Sequence, residues 1–438
     1  METYQKGKTR MSETYLSVGI DVGSDFSYMS IAMPNQSMVG KPAKIAHADL
    51  CSLERAATLI RESEEKYGLR ARIFLESTSI YHYSLMNYLG SKGFTVSVIN
   101  PIITKNSASI NVRKVENDKT ASQKIALIGL KPDLKVSLIP SEIVLDLRNL
   151  VREYYYLVDS RSAYITKLTA ILRVAFPQYI GIFSKLTVET SLLLLEKYTS
   201  PQAFLSGRKS AIVKLIKTTS HSGQAYAEGQ YAKIIKAAKD ALVFGYAVPS
   251  HFELVRLNIS LIREYTGKID HILDLMRNFA TLNSDSLFVR QIRLLETITG
   301  VGFLSAATLM AEIGDFSCFG SPKQLFAYFG LDPSVKQSGN FVGSFNKISK
   351  RGSKIARRAI HTVATVNIRL AKNGPLNPVL RQFYDDKCKS KPKLVALVAV
   401  GHKVCNIIFA VLRDNKPFAI IPKDEHIARY QRKLSGLA

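Results

Sequence analysis

Between Leu145 and Leu172 apolar side chains return mostly at three- and four-residue steps, and no glycine or proline interrupts them before Pro177. A 3.6-residue period held for that long predicts a single amphipathic helix. Proline ends it, because its nitrogen has no hydrogen to donate and its ring clashes with the preceding turn. A second run of the same kind spans roughly 251–279. Two long helices leave two architectures open. They form an extended, coiled-coil-like hairpin bridging domains or subunits, or they wall a plain helical bundle, and the pattern fits both. At 438 residues the chain has room for two or three hydrophobic cores, so this helical region is one part among several.

The flanks read differently. Residues 12–135 alternate short β-rich runs with helical ones. Tyr15–Asp21 predicts a strand with Tyr28–Met33 as its hairpin partner, and Ile73–Glu76 and Thr95–Ile99 predict two more. Helical spacing covers 49–66, 80–91 and 118–130, and strands interleaved with helices indicate an α/β layer. The long-helix region takes 136–290. Residues 291–405 then form a mostly helical domain, and 406–438 a basic tail. Near the start of that domain, Thr299-Gly300-Val301-Gly302 precedes an apolar helix, like half of a helix-hairpin-helix. Glycines there allow a tight turn whose amides face a phosphate; a purely structural turn fits equally well.

Charge narrows the partner. The formal net charge is +25, and from Lys336 onward 21 Lys and Arg stand against 5 Asp and Glu. So basic a final quarter implies a polyanion, and nucleic acid is the usual one. A membrane surface is the rival, but no basic amphipathic helix with a long clean apolar face favours it. The most apolar late stretch, Leu394 to Leu412, is broken by Gly401-His402-Lys403 and reads as a buried pair of helices rather than a membrane span. Cys51, Cys318, Cys388 and Cys405 are scattered without zinc-ligand spacing, which fits idle thiols in a reducing cytoplasm. The polar N-terminus lacks the apolar core of a signal peptide.

Three acids stand at element ends in the α/β region. Asp21 closes an apolar strand between glycines, in Gly19-Ile20-Asp21-Val22-Gly23, and Glu76 closes another, in Phe74-Leu75-Glu76-Ser77-Thr78. Asp118 opens a helix after a loop containing Arg113 and Lys114. Carboxylates at the ends of separate elements can converge on a metal cluster. Phosphodiester chemistry commonly uses two Mg²⁺ ions, one aiding the nucleophile and one the leaving oxygen. Three unrelated surface acids among 35 are the bland alternative.

The other informative stretch is Phe329-Gly330-Leu331-Asp332-Pro333-Ser334-Val335-Lys336-Gln337-Ser338-Gly339-Asn340, followed by Ile348-Ser349-Lys350-Arg351-Gly352. Its glycines and proline predict an irregular loop with a serine beside a glycine and cations nearby. A serine that attacks phosphorus keeps the bond energy in a phosphoserine, so strands can be rejoined without external energy. Lys350, Arg351, Arg357 or Arg358 would neutralise the phosphate oxygens. On composition alone, a Ser-Gly in a loop is a turn. Lys347, Lys350, Arg351, Lys354, Arg357 and Arg358 together predict a backbone-binding track.

These runs, from Gly19-Ile20-Asp21 through Leu75-Glu76-Ser77-Thr78-Ser79-Ile80-Tyr81-His82 to Asn117-Asp118-Lys119, resemble the transposases of the insertion sequence 110 family, and the similarity extends over nearly the whole chain. The resemblance implies a RuvC-like, RNase-H-fold α/β domain at the front, a coiled-coil-like middle and a mostly α transposase domain behind. It places the family's first three acids on Asp21, Glu76 and Asp118, as ligands of Mg²⁺. The fourth, expected three residues after Asp118, falls on Ala121, which cannot ligate a metal. Ser122 and Glu116 are out of register for that role. The serine nucleophile falls on Ser338, with Ser334 as the fallback should the loop alignment slip. The resemblance also implies a homo-oligomer, dimer or tetramer, in which the front site of one subunit assists the serine of another. Donor and target DNA, a structured guide RNA and a nucleoid-associated location in a bacterial or archaeal cytoplasm complete the expectation, with no membrane involved. Two other readings stay open: a RuvC-like nuclease or junction resolvase in which water attacks, and a catalytically silent nucleic-acid-binding protein, which Ala121 makes credible. A tyrosine recombinase is set aside. His426-Ile427-Ala428-Arg429 mimics its HxxR box, but Tyr430 adjoins the box and lacks a separate segment to swing in.

Overall fold

The computed structural model describes residues 14–77, 80–101, 103–104, 117–134, 140–334, 347–372, 374–421, 424–425, 427–428 and 431, together with the backbone of 337–338 and 341–342. The chain divides into two compact units, 1–139 and 140–438.

The first unit is built on a five-stranded sheet. Its strands are β1 (Leu16–Val22), β2 (Phe26–Ala32), β3 (Met38–Ala46), β4 (Ala71–Glu76) and β5 (Thr95–Ile99), in the order β3-β2-β1-β4-β5. The first three form an antiparallel meander, while β4 runs parallel to β1 and β5 parallel to β4. Helices α1 (Leu50–Tyr67) and α2 (His82–Ser91) make the two crossovers and bury Ala56, Ile60, Leu85 and Leu89 with Ile20, Ile73 and Leu75 in one core. Helix α3 (Asp118–Gly129) covers the opposite face, where Ile125 and Ile128 meet Phe74 and Ile99. Gly19 makes this packing possible. A Cβ there would collide with the Ala126 amide and the Ser122 carbonyl, so α3 lies directly on β1. Ser17 then donates to the Ala126 carbonyl at 2.6 Å, and Tyr15 to that of Gly129 at 2.6 Å.

The second unit begins with α4 (Glu142–Ala175), which stops before Pro177 as the periodicity predicts. The chain continues through α5 (Glu189–Lys197), α6 (Pro201–Ser206), α7 (Lys209–Ser220) and α8 (Gln224–Phe244) to the second long helix, α9 (Pro249–Leu282). Helices α4 and α9 pair antiparallel. Val144, Leu147 and Val151 share a core with Met276, Phe279 and Ala280, Tyr164 stacks on Tyr265, and Leu168 and Leu172 share a second core with Val255, Ile259 and Ile262. The intervening short helices cap that second core through Phe204, Ile212, Ile216, Ile234 and Ala238.

The first of these cores continues without a break into α10 (Leu287–Glu296), α11 (Phe303–Ile313), α12 (Pro322–Tyr328), α13 (Lys354–Asn367), α14 (Pro378–Cys388) and α15 (Lys393–Asp414). Phe288, Val289 and Ile292 all belong to that core. One expectation changes here. Lys393–Asp414 is one continuous helix, not a broken pair, because Gly401 is used for close packing: a Cβ there would stand 3.2 Å from the Ile360 side chain of α13. This is the one helix, among the described residues, long and apolar enough to cross a membrane, yet Val400, Val404, Cys405 and Ile408 are fully buried in the helical core. The turn before α11 also faces protein on its Gly300 side. Gly300 has φ +77°, a Cβ on it would strike Val366 and Asn367, and Asn367 donates to the Thr299 carbonyl at 2.7 Å.

Candidate active site

Strand register brings the first two acids together. Ile20 of β1 lies opposite Leu75 of β4, both facing α1, so the next residues, Asp21 and Glu76, share the face that α3 covers. Asp118 is the first residue of α3. Its place is fixed by a capping box in which the Asn117 side chain accepts from the Thr120 amide at 2.9 Å and Thr120 accepts from the Asn117 amide at 3.1 Å. Glu76 is buried, and Thr104 donates to its Oε1 at 2.9 Å. Nothing in the sequence marks Thr104 for that role.

Electrostatics registers the convergence. The Asp21 carboxyl is pushed up to about 6, chiefly by burial, with the charges of Glu76 and Asp118 acting in the same direction. The Asp21 carboxyl thus senses two neighbouring carboxylates, and oxygen donors of this kind are the chemistry of a hard divalent ion. As they stand, no three His, Cys, Asp or Glu side chains among the described residues are gathered tightly enough to hold an ion. Ala121 lies one turn along α3 from Asp118, half-buried and without a donor atom. Ser122 is spoken for. It is fully buried, 2.8 Å from the Ser30 hydroxyl, and donates to the Lys119 carbonyl at 2.8 Å. Glu116, Arg113, Lys114, Thr78 and Ser79 lie outside the described residues.

In the second unit the serine-bearing stretch is an arm with a built base. Gly330 has φ +68°, and a Cβ on it would stand 2.6 Å from the Arg351 amide and 2.7 Å from that of Gly352. Two chain segments therefore cross at van der Waals contact. The Lys350 amide donates to the Gly330 carbonyl at 2.9 Å, and the Ser349 amide to the Asp332 carbonyl at 2.7 Å. The Ser349 hydroxyl donates to Asp332 Oδ1 at 2.5 Å. Ser334 belongs to this base, since its amide and its hydroxyl both donate to the Lys347 carbonyl, at 2.7 and 2.8 Å. Beyond it, the backbone of Gln337–Ser338 (β6) pairs antiparallel with that of Phe341–Val342 (β7). Ser338 thus stands on a two-residue ribbon, while Val335, Lys336, Gly339 and Asn340 lie outside the described residues.

The six basic residues behind the arm do not behave alike. Lys347, Lys350, Arg351 and Lys354 are exposed. Arg357 turns inward and donates from Nη1 to the Phe329 carbonyl at 3.0 Å and the Gly352 carbonyl at 2.7 Å; burial lowers its pKa from the usual guanidinium value. Arg358 pairs with Asp159 of α4 at 2.7 Å and lies over the Tyr155 ring. A run of Lys and Arg carries no signal that would separate these roles. His426, Arg429 and Tyr430 lie outside the described residues.

Comparison with known proteins gives two family matches. Residues 292–385 match the family described as Transposase IS116/IS110/IS902, and residues 18–177 match the DEDD transposases of the IS110 type. Among relatives, the pilin gene-inverting protein of Moraxella bovis is 32% identical over 125 residues, which is 28% of this chain and 38% of that protein. The match therefore spans well under half of that relative. The insertion element IS116 uncharacterized 44.8 kDa protein of Streptomyces clavuligerus is 22% identical over 285 residues, 65% of this chain and 67% of its own. The transposase for insertion sequence element IS1111A of Coxiella burnetii is 37% identical over 125 residues, 28% of this chain and 33% of its own.

Proposed function

Because this chain belongs to the IS110-type transposase family, we propose that it cuts and rejoins DNA strands with Ser338 as nucleophile, assisted by Asp21, Glu76 and Asp118. The observation that carries this reading is that Asp21 and Glu76 end paired strands on the face α3 covers, with Asp118 at the start of that helix, near enough for both other charges to act on Asp21. The sheet order β3-β2-β1-β4-β5 with α3 on the acidic face accords with an RNase-H-like, RuvC-like domain. Asp21, Glu76 and Asp118 would hold Mg²⁺, which when bound stabilises charge on the attacking and leaving oxygens. In the step itself, Ser338 Oγ bonds to phosphorus as a bridging P–O bond breaks. The hydroxyl proton goes to a base, and the departing oxygen ends protonated. Bond count is conserved, so the reverse step can join a new strand.

Ser338 is preferred to Ser334 because the Ser334 hydroxyl is already bonded to the Lys347 carbonyl. The exposed Lys347, Lys350, Arg351 and Lys354 form the phosphate track beside the arm. A relative named for inverting a pilin gene is in keeping with DNA rearrangement. Donor and target DNA as substrates, a structured guide RNA and a homo-oligomer complete the proposal, on the strength of the family resemblance. A second reading, a protein that binds nucleic acid without recombining it, is favoured by Ala121 alone.

The test is Ser338→Ala. It abolishes the covalent protein–DNA species and strand exchange while leaving binding nearly intact, since one hydroxyl adds little to phosphate affinity. An undiminished adduct would move the nucleophile elsewhere. Sequencing the nucleic acid that copurifies with the chain tests the guide, and a discrete folded RNA is the expected result.

A further inference from the structure

The register of the first unit sets three side chains in one row across the sheet. Asp21 of β1 lies opposite Tyr28 of β2, and Tyr28 lies opposite Lys44 of β3. Directly opposed residues of antiparallel strands point to the same face, so Tyr28 and Lys44 extend the face of the acidic residues towards the sheet edge. Two strand spacings, about 10 Å, separate the strand of Asp21 from that of Lys44.

Two more groups complete the row. Phe26, two residues before Tyr28 on the same strand, meets its ring edge-on at 5.8 Å between centroids. Lys119, next to Asp118 at the start of α3, brings Nζ to 5.7 Å from the Tyr28 ring, and Lys44 Nζ stands 4.1 Å above the Phe26 ring. Both lysines are exposed, and both rings are only partly buried. Both ammonium groups rest over aromatic faces, which leaves hydrogens to bond other oxygens.

We propose that Phe26, Tyr28, Lys44 and Lys119 form a guide for an unpaired nucleic-acid strand, leading it across β2 to the acids at Asp21. Bases or sugars lie against the Phe26–Tyr28 wall, and the ammonium groups of Lys44 and Lys119 take successive phosphates. Interleaved rings and cations are what sequence-tolerant single-strand sites are built from, because every base has a π-face and every nucleotide a charge. A duplex does not fit this chemistry, since its bases are stacked on one another and unavailable to the rings. DNA and RNA share the features recognised. The guide takes its direction from the reading of the acids as a phosphodiester centre, but strand binding itself needs no turnover.

The experiment uses the full chain in EDTA. Single-stranded 12-mers, one set DNA and one set RNA, carry 5-iodouracil at each position in turn and are photo-cross-linked, with adducts located by mass spectrometry. Adducts on Tyr28 or Phe26 are expected, and the set that gives them identifies the strand. Tyr28→Ala should weaken binding at least about fivefold while Tyr28→Phe stays within about twofold, and Lys44→Gln should lower the salt slope by about 0.7. Adducts on neither ring, or only with duplex, would overturn the proposal, and so would unchanged affinity in Tyr28→Ala. A chain that cross-links here but never forms a protein–DNA adduct keeps this inference and sinks the serine mechanism. A chain that recombines without these cross-links does the reverse.

Discussion

Ala121 sits one helical turn beyond Asp118, half-buried on the helix that brings Asp118 to the sheet. A carboxylate there would add a fourth anionic ligand beside Asp21, whose carboxyl is already raised to about 6 by burial and, secondarily, by the charges of Glu76 and Asp118. With three acids, two divalent ions are under-compensated, so the chain should bind nucleic acid but recombine poorly. Ala121→Asp is expected to raise Mg²⁺-dependent strand exchange roughly a hundredfold with little change in affinity, since missing ligands and their supports cost that much. A recombination assay across a Mg²⁺ titration, with Asp21→Ala as the dead control, decides it, and equal activity would mean that three carboxylates suffice. A second single residue makes stability depend on pH. His402 of α15 is packed edge-on against Phe326, and burial lowers its pKa to about 4. Unfolded, the ring takes up a proton below about 6.5. Above that pH both states are neutral and the residue adds no slope. As pH falls from about 6.5 towards 4 only the unfolded chain gains the proton, so native stability is lost across that window. Urea midpoints at pH 7 and pH 4.5 should therefore converge for His402→Gln relative to the unaltered chain; an unchanged difference assigns the slope to other groups.

The serine arm is the element on which most of the proposed chemistry depends, and its base is held by backbone. Arg357 bridges the Phe329 and Gly352 carbonyls, one on each chain segment of the crossing, and so acts on Ser338 only through the arm's position. Arg357→Lys keeps the charge but replaces the planar fork with a single ammonium, and is expected to cut the strand-exchange rate roughly ten- to a hundredfold, as an ångström of misplacement does. Affinity measured at the same salt should stay within about twofold. A loss of affinity in step with rate would return Arg357 to the phosphate track. The arm also shows where sequence reading stops. The helices of 142–175 and 249–282 were legible because a period of 3.6 sustained over that length has no other solution. The strands bearing Asp21 and Glu76 were legible as short apolar runs, and their pairing brings the two acids side by side. Strand β3 was not. Met38–Ala46 contains Gly40 and Pro42 and buries only Ile45 fully, an edge-strand pattern that reads as loop. Gly401 misled for the opposite reason, marking a helix contact where it read as a break. The inward turn of Arg357 and the bond from Thr104 to Glu76 depend on tertiary contacts, for which the residue types carry no signal.

At the scale of the whole molecule, charge and assembly make separate claims. The chain carries +25, and Lys347, Lys350, Arg351 and Lys354 stand exposed behind the arm. Duplex affinity should fall with salt at a log–log slope of about −0.9 per phosphate neutralised, and replacing any one of these four should reduce the slope by about one such step. Arg357→Lys should not change it. Assembly asks more, because the acids lie in one compact unit and the serine in the other. If the acids of one subunit serve the serine of its neighbour, a mixture of Asp21→Ala and Ser338→Ala chains is instructive. In a mixed dimer, one composite site joins damaged acids to a damaged serine. The other joins the intact acids of the Ser338→Ala chain to the intact serine of the Asp21→Ala chain. Random pairing makes half the dimers mixed, with one live site in each, so about a quarter of all sites should work although neither variant works alone. If each serine is served by its own chain's acids, every site in the mixture holds one damaged part and nothing is restored. Co-expressing the two variants and measuring strand exchange per protomer reads this directly. Recovery near a quarter of the unaltered level requires two subunits per site, and no recovery, with mixed oligomers verified by differential tags, confines the chemistry to one.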